Sequence, residues 1–165
     1  MPSSSTCAAT PEVEFEERAV GDAGLDGLLA AAFAELVGRY GAEGRSQVKG
    51  GARYLVVLDD DGVAVGCGAV QAFEADSEHP GDGELKRMYV VPAARGRGFA
   101  RGLLAALEEL ARTAGHPVLR LTTGGLQPEA IALYESSGYT PAAPWGKYIT
   151  QPGTRCYAKV LLRSG

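Results

Sequence analysis

The chain has 165 residues, 45% of them hydrophobic and 22% charged, with a formal net charge of -4. This length favours one compact domain whose core needs no disulfide or metal. The mild acidity argues against a general nucleic-acid binder, which is usually basic. Three widely separated cysteines and two histidines predict neither a disulfide framework nor a metal site.

The Ser-, Thr- and Ala-rich stretch over residues 1–11 lacks the basic start and long apolar run of a signal peptide. We expect it to be a flexible tail, followed by a single domain over residues 12–165. No stretch has the length of a membrane span, so we expect no membrane partner. The scattered, odd number of cysteines favours a reducing compartment, and we expect a cytoplasmic protein.

Strand and helix signals alternate in the first half of the chain. Asp22 is a suitable N-cap for a helix whose apolar residues recur at helical spacing, and Gly41 is among the glycines expected to end it. The turn sequence Asp59–Gly62 predicts a hairpin, and loops are expected over 41–52 and 74–83. The predicted elements are a strand over Val13–Val20, a helix from Asp22 to Tyr40, and strands over Arg53–Leu58 and Val63–Phe73.

The second half continues this alternation. Pro92 is expected to stop a strand, and Gly115 to end the clearest helix. The predicted elements are a strand over Glu84–Val91, helices over Arg97–Ala114 and Pro128–Ser137, and strands over Val118–Thr122, Tyr139–Thr140 and Thr154–Leu162. This order predicts an α/β fold with a mixed sheet, in which the strands around the Arg97 helix are parallel and joined by a right-handed crossover.

A glycine-rich segment, Arg95-Gly96-Arg97-Gly98-Phe99-Ala100, lies between a strand and the start of a helix. Glycines permit close approach of a ligand to the backbone, and the unpaired amides of a helix N-terminus bind anions such as a pyrophosphate. Arg95, Arg97 and Arg101 add positive charge that can pair with phosphate oxygens. The segment matches neither the Gly-x-Gly-x-x-Gly fingerprint of dinucleotide-binding proteins nor the Walker motif of nucleotide-binding loops. A glycine-rich turn that merely starts a helix remains an alternative.

Two motifs carry a resemblance to a known family. Glu84–Pro92 followed by Arg95–Ala100 resembles the coenzyme-A-binding motif of the GNAT family of N-acetyltransferases, with Arg95, Gly98 and Ala100 in its fixed positions. Residues 128–139 resemble the second motif of that family. The matching residues there are Ala130, Leu133, Tyr134, Gly138 and Tyr139, while Gln127 stands where the family commonly has Asn.

The resemblance implies the GNAT fold, a mixed and mostly antiparallel sheet of about seven strands flanked by helices, with strands 4 and 5 parallel and splayed apart. It also implies acetyl-CoA as cosubstrate and no metal. The pantetheine arm would lie along strand 4 and bond to the backbone of Met88, Tyr89 and Val90. The pyrophosphate would bind at Arg95 and at the backbone amides of Gly96, Arg97, Gly98, Phe99, Ala100 and Arg101.

The family's activity implies roles for two further residues. Tyr134 is the candidate general acid that protonates the departing thiolate, although a plain core position on a helix face is the alternative. Glu84 is the candidate general base for the amine, directly or through water, although a solvated carboxylate at a strand end explains it equally well. Trp145 would form a wall of the acceptor pocket or would only pack a turn.

The expected function is transfer of an acetyl group from acetyl-CoA to the primary amine of a small molecule, by direct attack in a ternary complex. A protein or peptide N-acetyltransferase and a non-catalytic coenzyme-A-binding sensor are the alternatives. The carboxylates between residues 74 and 84 would attract a cationic amine or would simply form a solvated loop. The acceptor is not determined by the sequence, and the resemblance allows a homodimer.

Overall fold

A computed structural model describes residues 13–41, 48, 50–151 and 153–162. The predicted tail, residue 12 and most of the predicted 41–52 loop lie outside the described residues. The elements are β1 (Glu14–Arg18), α1 (Ala23–Tyr40), β2 (Arg53–Leu58), β3 (Ala64–Ala72), β4 (Gly83–Val90), α2 (Phe99–Thr113), β5 (Val118–Gly124), α3 (Pro128–Ser136), β6 (Thr140–Pro141) and β7 (Thr154–Val160).

The strands form one seven-stranded sheet in the order β1-β2-β3-β4-β5-β7-β6. β4 and β5 pair in parallel, and every other pair in the described part of the chain is antiparallel. The predicted mixed sheet with a parallel fourth and fifth strand is confirmed. Among the described residues, none of the helices is long and apolar enough to cross a membrane.

Helix α1 begins and ends as the sequence predicts. The Asp22 side chain accepts a hydrogen bond of 2.9 Å from the Leu25 amide, and Gly41 caps the other end at φ 78°. Leu25 and Leu28 are buried, but Phe33, an apolar residue that follows them at helical spacing, remains exposed. The packing of α1 therefore rests mainly on its first half.

Two apolar clusters lie on opposite faces of the sheet. On one face, called here the α1 face, α1 packs on a cluster that includes Val56, Cys67 and Ala69. On the other, the α2 face, Leu103 and Leu107 of α2 pack on the cluster of Val57, Val70, Leu85, Leu119 and Leu121. Because successive strand residues point to opposite faces, neighbours such as Val56 and Val57 serve different clusters.

Several boundaries differ from the prediction. α2 begins at Phe99 and not at Arg97, because Gly98 has a left-handed backbone at φ 86° and forms the N-cap. β5 continues to Gly124 through its pairing with β7, which the sequence alone does not reveal. Two short 3₁₀ turns, Pro92–Ala94 and Gly146–Thr150, were not predicted.

Candidate active site

A cleft opens between the two parallel strands. Their pairing is confined to Gly83 with Leu119 and Glu84 with Arg120, although β4 continues to Val90 and β5 to Gly124. Beyond Glu84, the strands separate, so backbone groups along the facing edges are left without partners from the neighbouring strand. The predicted pantetheine-binding stretch, Met88 to Val90, lies on this unpaired part of β4.

A β-bulge lies in β4 at this opening. The register between β3 and β4 shifts by one residue opposite Gly68, and Arg87 has φ 59°, the one positive φ among the described non-glycine residues. A Cβ atom on Gly68 would meet the Leu107 side chain and would lie 2.8 Å from the Met88 sulfur. Gly68 therefore lets α2 pack closely over the bulge.

The glycine-rich segment has the geometry expected of an anion site. Gly96 and Gly98 have φ of 79° and 86°, a conformation that favours glycine. The first-turn amides of α2 have no partner within the helix, and this turn contains no acidic residue. No atom lies within 4 Å of a Cβ built on either glycine, so the backbone angle and not crowding requires glycine here. These residues fit a diphosphate group.

Arg95 makes contacts within the protein. Its Nε donates a 2.8 Å hydrogen bond to the carbonyl oxygen of Val90, at the end of β4. Its Nη2 pairs with Glu35 of α1 at 2.6 Å, and the guanidinium lies 5.6 Å from the centre of the Tyr89 ring. Arg95 thus ties the candidate phosphate loop to β4 and to α1.

The other two arginines, Arg97 and Arg101, also contact neighbouring side chains. The Arg97 guanidinium lies 5.1 Å from the centre of the Phe99 ring. Arg101 donates to the hydroxyls of Ser136 and Ser137, at 2.9 and 3.2 Å. It thereby joins the first turn of α2 to the end of α3. Pairing of these side chains with phosphate stays a prediction.

Tyr134 lies on α3 within the core of the α2 face. It is buried, and its ring packs edge to face on Tyr139 at a centroid distance of 5.8 Å. Burial raises the pKa of its phenol. No described residue forms a hydrogen bond with its hydroxyl, yet every fully buried side-chain oxygen or nitrogen in the described residues has a partner. The hydroxyl oxygen therefore retains contact with solvent.

A buried carboxylate on α2, which the sequence analysis missed, stabilises the end of α3. Glu108 of α2 accepts hydrogen bonds from the Tyr139 hydroxyl at 2.9 Å and from Lys159 at 3.1 Å. The same ammonium donates to the Ser137 carbonyl at 2.9 Å. Glu108 shares its helix face with Leu104 four residues before, and that spacing could have indicated its burial.

Glu84 belongs to a second buried polar group, on the α1 face. One of its oxygens accepts a 3.0 Å hydrogen bond from Gln71, and the other lies 3.3 Å from the Lys86 ammonium. Lys86 also donates to the Tyr148 hydroxyl at 3.2 Å. The side chains of Glu84 and Lys86 are each 8% exposed. Glu84 is therefore a buried, paired carboxylate and not a solvated one; the sequence analysis missed Lys86.

Two of the carboxylates that precede Glu84 also have partners within the protein. Asp82 pairs with Arg120 at 2.9 Å, and Glu78 accepts a 3.0 Å hydrogen bond from the Gly146 amide. Trp145 is buried, with the Arg120 guanidinium 5.9 Å from its ring centre. Its edge-to-face neighbours are Phe73, His79 and Tyr148. The predicted acidic loop therefore packs against the segment that follows β6.

A cavity of about 370 Å³ lies next to the buried polar group of Glu84 and Lys86, because Tyr148, the partner of Lys86, lines it. Its lining includes Tyr148, Thr150, Gln151 and Cys156, and contains no charged side chain. Within the described residues, no group of three or more His, Cys, Asp or Glu side chains is arranged to hold a metal ion.

Comparisons with known proteins agree with this geometry. A family model described as the acetyltransferase (GNAT) family matches residues 27–139. The chain is 43% identical over 100 residues to the "IAA acetyltransferase" of Azospirillum brasilense, a match that covers 61% of this chain and only 62% of that relative.

Solved structures are similar over nearly the whole chain. A Klebsiella pneumoniae protein named as an acyl-CoA N-acyltransferase is 34% identical, with a TM-score of 0.76 and coverage of 92% of this chain and 99% of that one. A Salmonella typhimurium structure, named as an acetyltransferase and solved with its cofactor acetyl-CoA, has a TM-score of 0.67 at 18% identity. That match covers 93% of this chain and 96% of the other, and shows a shared fold.

Proposed function

The chain belongs to the GNAT family of acetyltransferases, and we propose on this basis that it transfers an acetyl group from acetyl-CoA to the primary amine of a small molecule. One observation carries the proposal. The parallel strands β4 and β5 separate after Glu84 and Arg120, and the opening adjoins the glycine-rich start of α2. A long ligand with a diphosphate fits an extended cleft that ends at a helix N-terminus.

The proposed binding mode for acetyl-CoA uses the backbone. The first-turn amides of α2, together with Gly96 and Arg97, bind the pyrophosphate. Met88, Tyr89 and Val90 bind the pantetheine arm along β4, as an added strand would. Arg95 already donates a hydrogen bond to the Val90 carbonyl oxygen, so its side chain holds the end of this stretch in position.

Tyr134 is the proposed general acid. When the amine attacks the thioester carbonyl, the carbon–sulfur bond breaks and the sulfur leaves as a thiolate that needs a proton. The phenol of Tyr134 carries its proton at neutral pH, and its hydroxyl is not held by another described side chain, so this proton is available to the sulfur. A held proton next to a developing thiolate is what general acid catalysis requires.

Glu84 is the proposed general base, acting directly or through a water molecule. Its two oxygens already contact Gln71 and Lys86, but a carboxylate has about four lone-pair positions, so it can accept a further proton donor.

A screen for thiol release from acetyl-CoA with a panel of amines, followed by mass identification of the product, tests the proposed function. Tyr134→Phe should lower turnover at least about tenfold with little change in affinity for coenzyme A. Glu84→Gln should change the pH dependence of the rate. Binding of coenzyme A without thiol release for any amine would refute catalysis and favour a sensor.

A further inference from the structure

We propose that the acceptor is an amino acid or a similar small amine that bears a carboxylate, and that Lys86 binds this carboxylate. The inference rests on the proposed transferase function and narrows its substrate class. It starts from the ion pair of Glu84 and Lys86, whose two charged groups lie 3.3 Å apart at the narrow end of the cleft.

The Lys86 ammonium has an unused donor. An ammonium group carries three N–H donors. Among the described residues, Lys86 contacts two acceptors, Glu84 and Tyr148, which leaves one donor without a protein partner. A buried donor of this kind gains from a charged acceptor, and a carboxylate provides one with a strong, charge-assisted hydrogen bond.

The two ion pairs at the site favour a zwitterion over a cation. Glu84 is matched by Lys86, and Asp82 is matched by Arg120, so these two pairs carry no net charge. A polyamine would meet the Lys86 ammonium as a like charge and would find no spare carboxylate in these pairs. In an amino acid, the amine and the carboxylate are a few bonds apart, which corresponds to the spacing of Glu84 and Lys86.

The neighbouring cavity offers room beside Tyr148, the hydrogen-bond partner of Lys86. Tyr148, which accepts a hydrogen bond from Lys86, also lines the cavity of about 370 Å³. The hydroxyl and amide groups of Thr150, Gln151 and Thr154 contribute neutral hydrogen-bonding groups to its wall. An anion in this cavity therefore meets no carboxylate of the lining, and Tyr148 is the residue that joins the lining to Lys86.

The test compares matched acceptors. The twenty L-amino acids are assayed for thiol release from acetyl-CoA, and each acid that reacts is compared with its primary amide and its decarboxylated amine. The amine of an amide is less basic than that of the acid, so a preference for the acid over the amide cannot come from easier deprotonation. We expect kcat/KM at least about tenfold higher for the acid, since a charge-assisted hydrogen bond is lost in the other two.

Three variants assign the preference to Lys86. Lys86→Gln should lower kcat/KM for the acid about 30-fold and leave the amide within about threefold, whereas Lys86→Arg should keep much of the preference. Lys147→Gln is the charge-matched control, because Lys147 is exposed and lies 5.3 Å from the centre of the same Tyr148 ring. It should leave the preference unchanged.

The outcomes separate the two proposals. Equal rates for acids, amides and amines, or an equal loss for acid and amide in Lys86→Gln, would overturn the carboxylate site but not the transferase. Calorimetric binding of an amino acid to the complex with coenzyme A, weakened by Lys86→Gln but without thiol release, would support the carboxylate site and overturn the transferase. The acid–amide comparison on the unaltered enzyme decides the matter if Lys86→Gln does not fold.

Discussion

Replacing Arg95 tests whether this side chain stabilises the folded protein or serves only to pair with phosphate. Arg95→Met keeps an unbranched, apolar side chain but removes the guanidinium. The hydrogen bond to the Val90 carbonyl, the ion pair with Glu35 and the contact with the Tyr89 ring are all lost. If these contacts matter, the variant is less stable even when no coenzyme A is present.

The expected loss follows from the three contacts. A hydrogen bond from a charged donor contributes about 1.5 kcal/mol at the low end of its range, which suits a side chain that is 34% exposed. The ion pair with Glu35, itself 23% exposed, adds roughly 0.5 kcal/mol, and the ring contact with Tyr89 about as much. The sum is about 2.5 kcal/mol, or roughly 5 to 10 °C in Tm for a domain of this size.

Urea denaturation of the ligand-free protein measures this loss. Glu35→Gln is the matched control, because it removes the ion pair but keeps the guanidinium of Arg95; it also removes the pair of Glu35 with Arg39, so it should cost no more than roughly 1 kcal/mol. An Arg95→Met variant whose free energy of unfolding stays within about 0.5 kcal/mol of the parent would refute the supporting role of Arg95. A weaker affinity for coenzyme A would then point to direct pairing with phosphate.

Three other perturbations address the core around the cleft. Gly68→Ala should lower the free energy of unfolding by about 1 to 3 kcal/mol in urea denaturation, because its methyl group would clash with Leu107. Glu108→Gln should cost about 2 kcal/mol in the same assay, since it weakens a buried charged acceptor of the Tyr139 hydroxyl; no measurable loss would contradict the role of this carboxylate. Burial raises the pKa of Tyr134 and Tyr139 above about 10, so the folded chain retains protons that the unfolded chain releases. Their contribution is complete below about pH 10 and is lost as the pH rises further, so Tm should fall between about pH 10 and 11, less so in Tyr134→Phe; a Tm that rises in this interval would contradict the assignment.

The sequence predicted what depends on neighbouring residues. The Asp22 cap, the glycine-rich start of α2 and the parallel strands are local signals or follow from the handedness of a strand-helix-strand unit. Contacts between distant side chains were missed, because no periodicity reports them. Lys86 meets Tyr148, 62 positions later, and Arg95 meets Glu35, 60 positions earlier. The sequence therefore located the candidate site but gave no indication that its charges are paired.

The bulge at Arg87 reverses which residues of β4, odd-numbered or even-numbered, face each side of the sheet. Before it, the even-numbered Glu84 and Lys86 face α1, and Leu85 joins the cluster under α2. After it, the parity is reversed, since Val90 joins the cluster under α2 and Tyr89 packs toward α1. Deleting Arg87 would bring the whole strand into one alternation, so either the charged pair or Val90 would have to face the wrong side. One extra residue thus lets a single strand present polar groups to one layer and still fill the other with hydrocarbon.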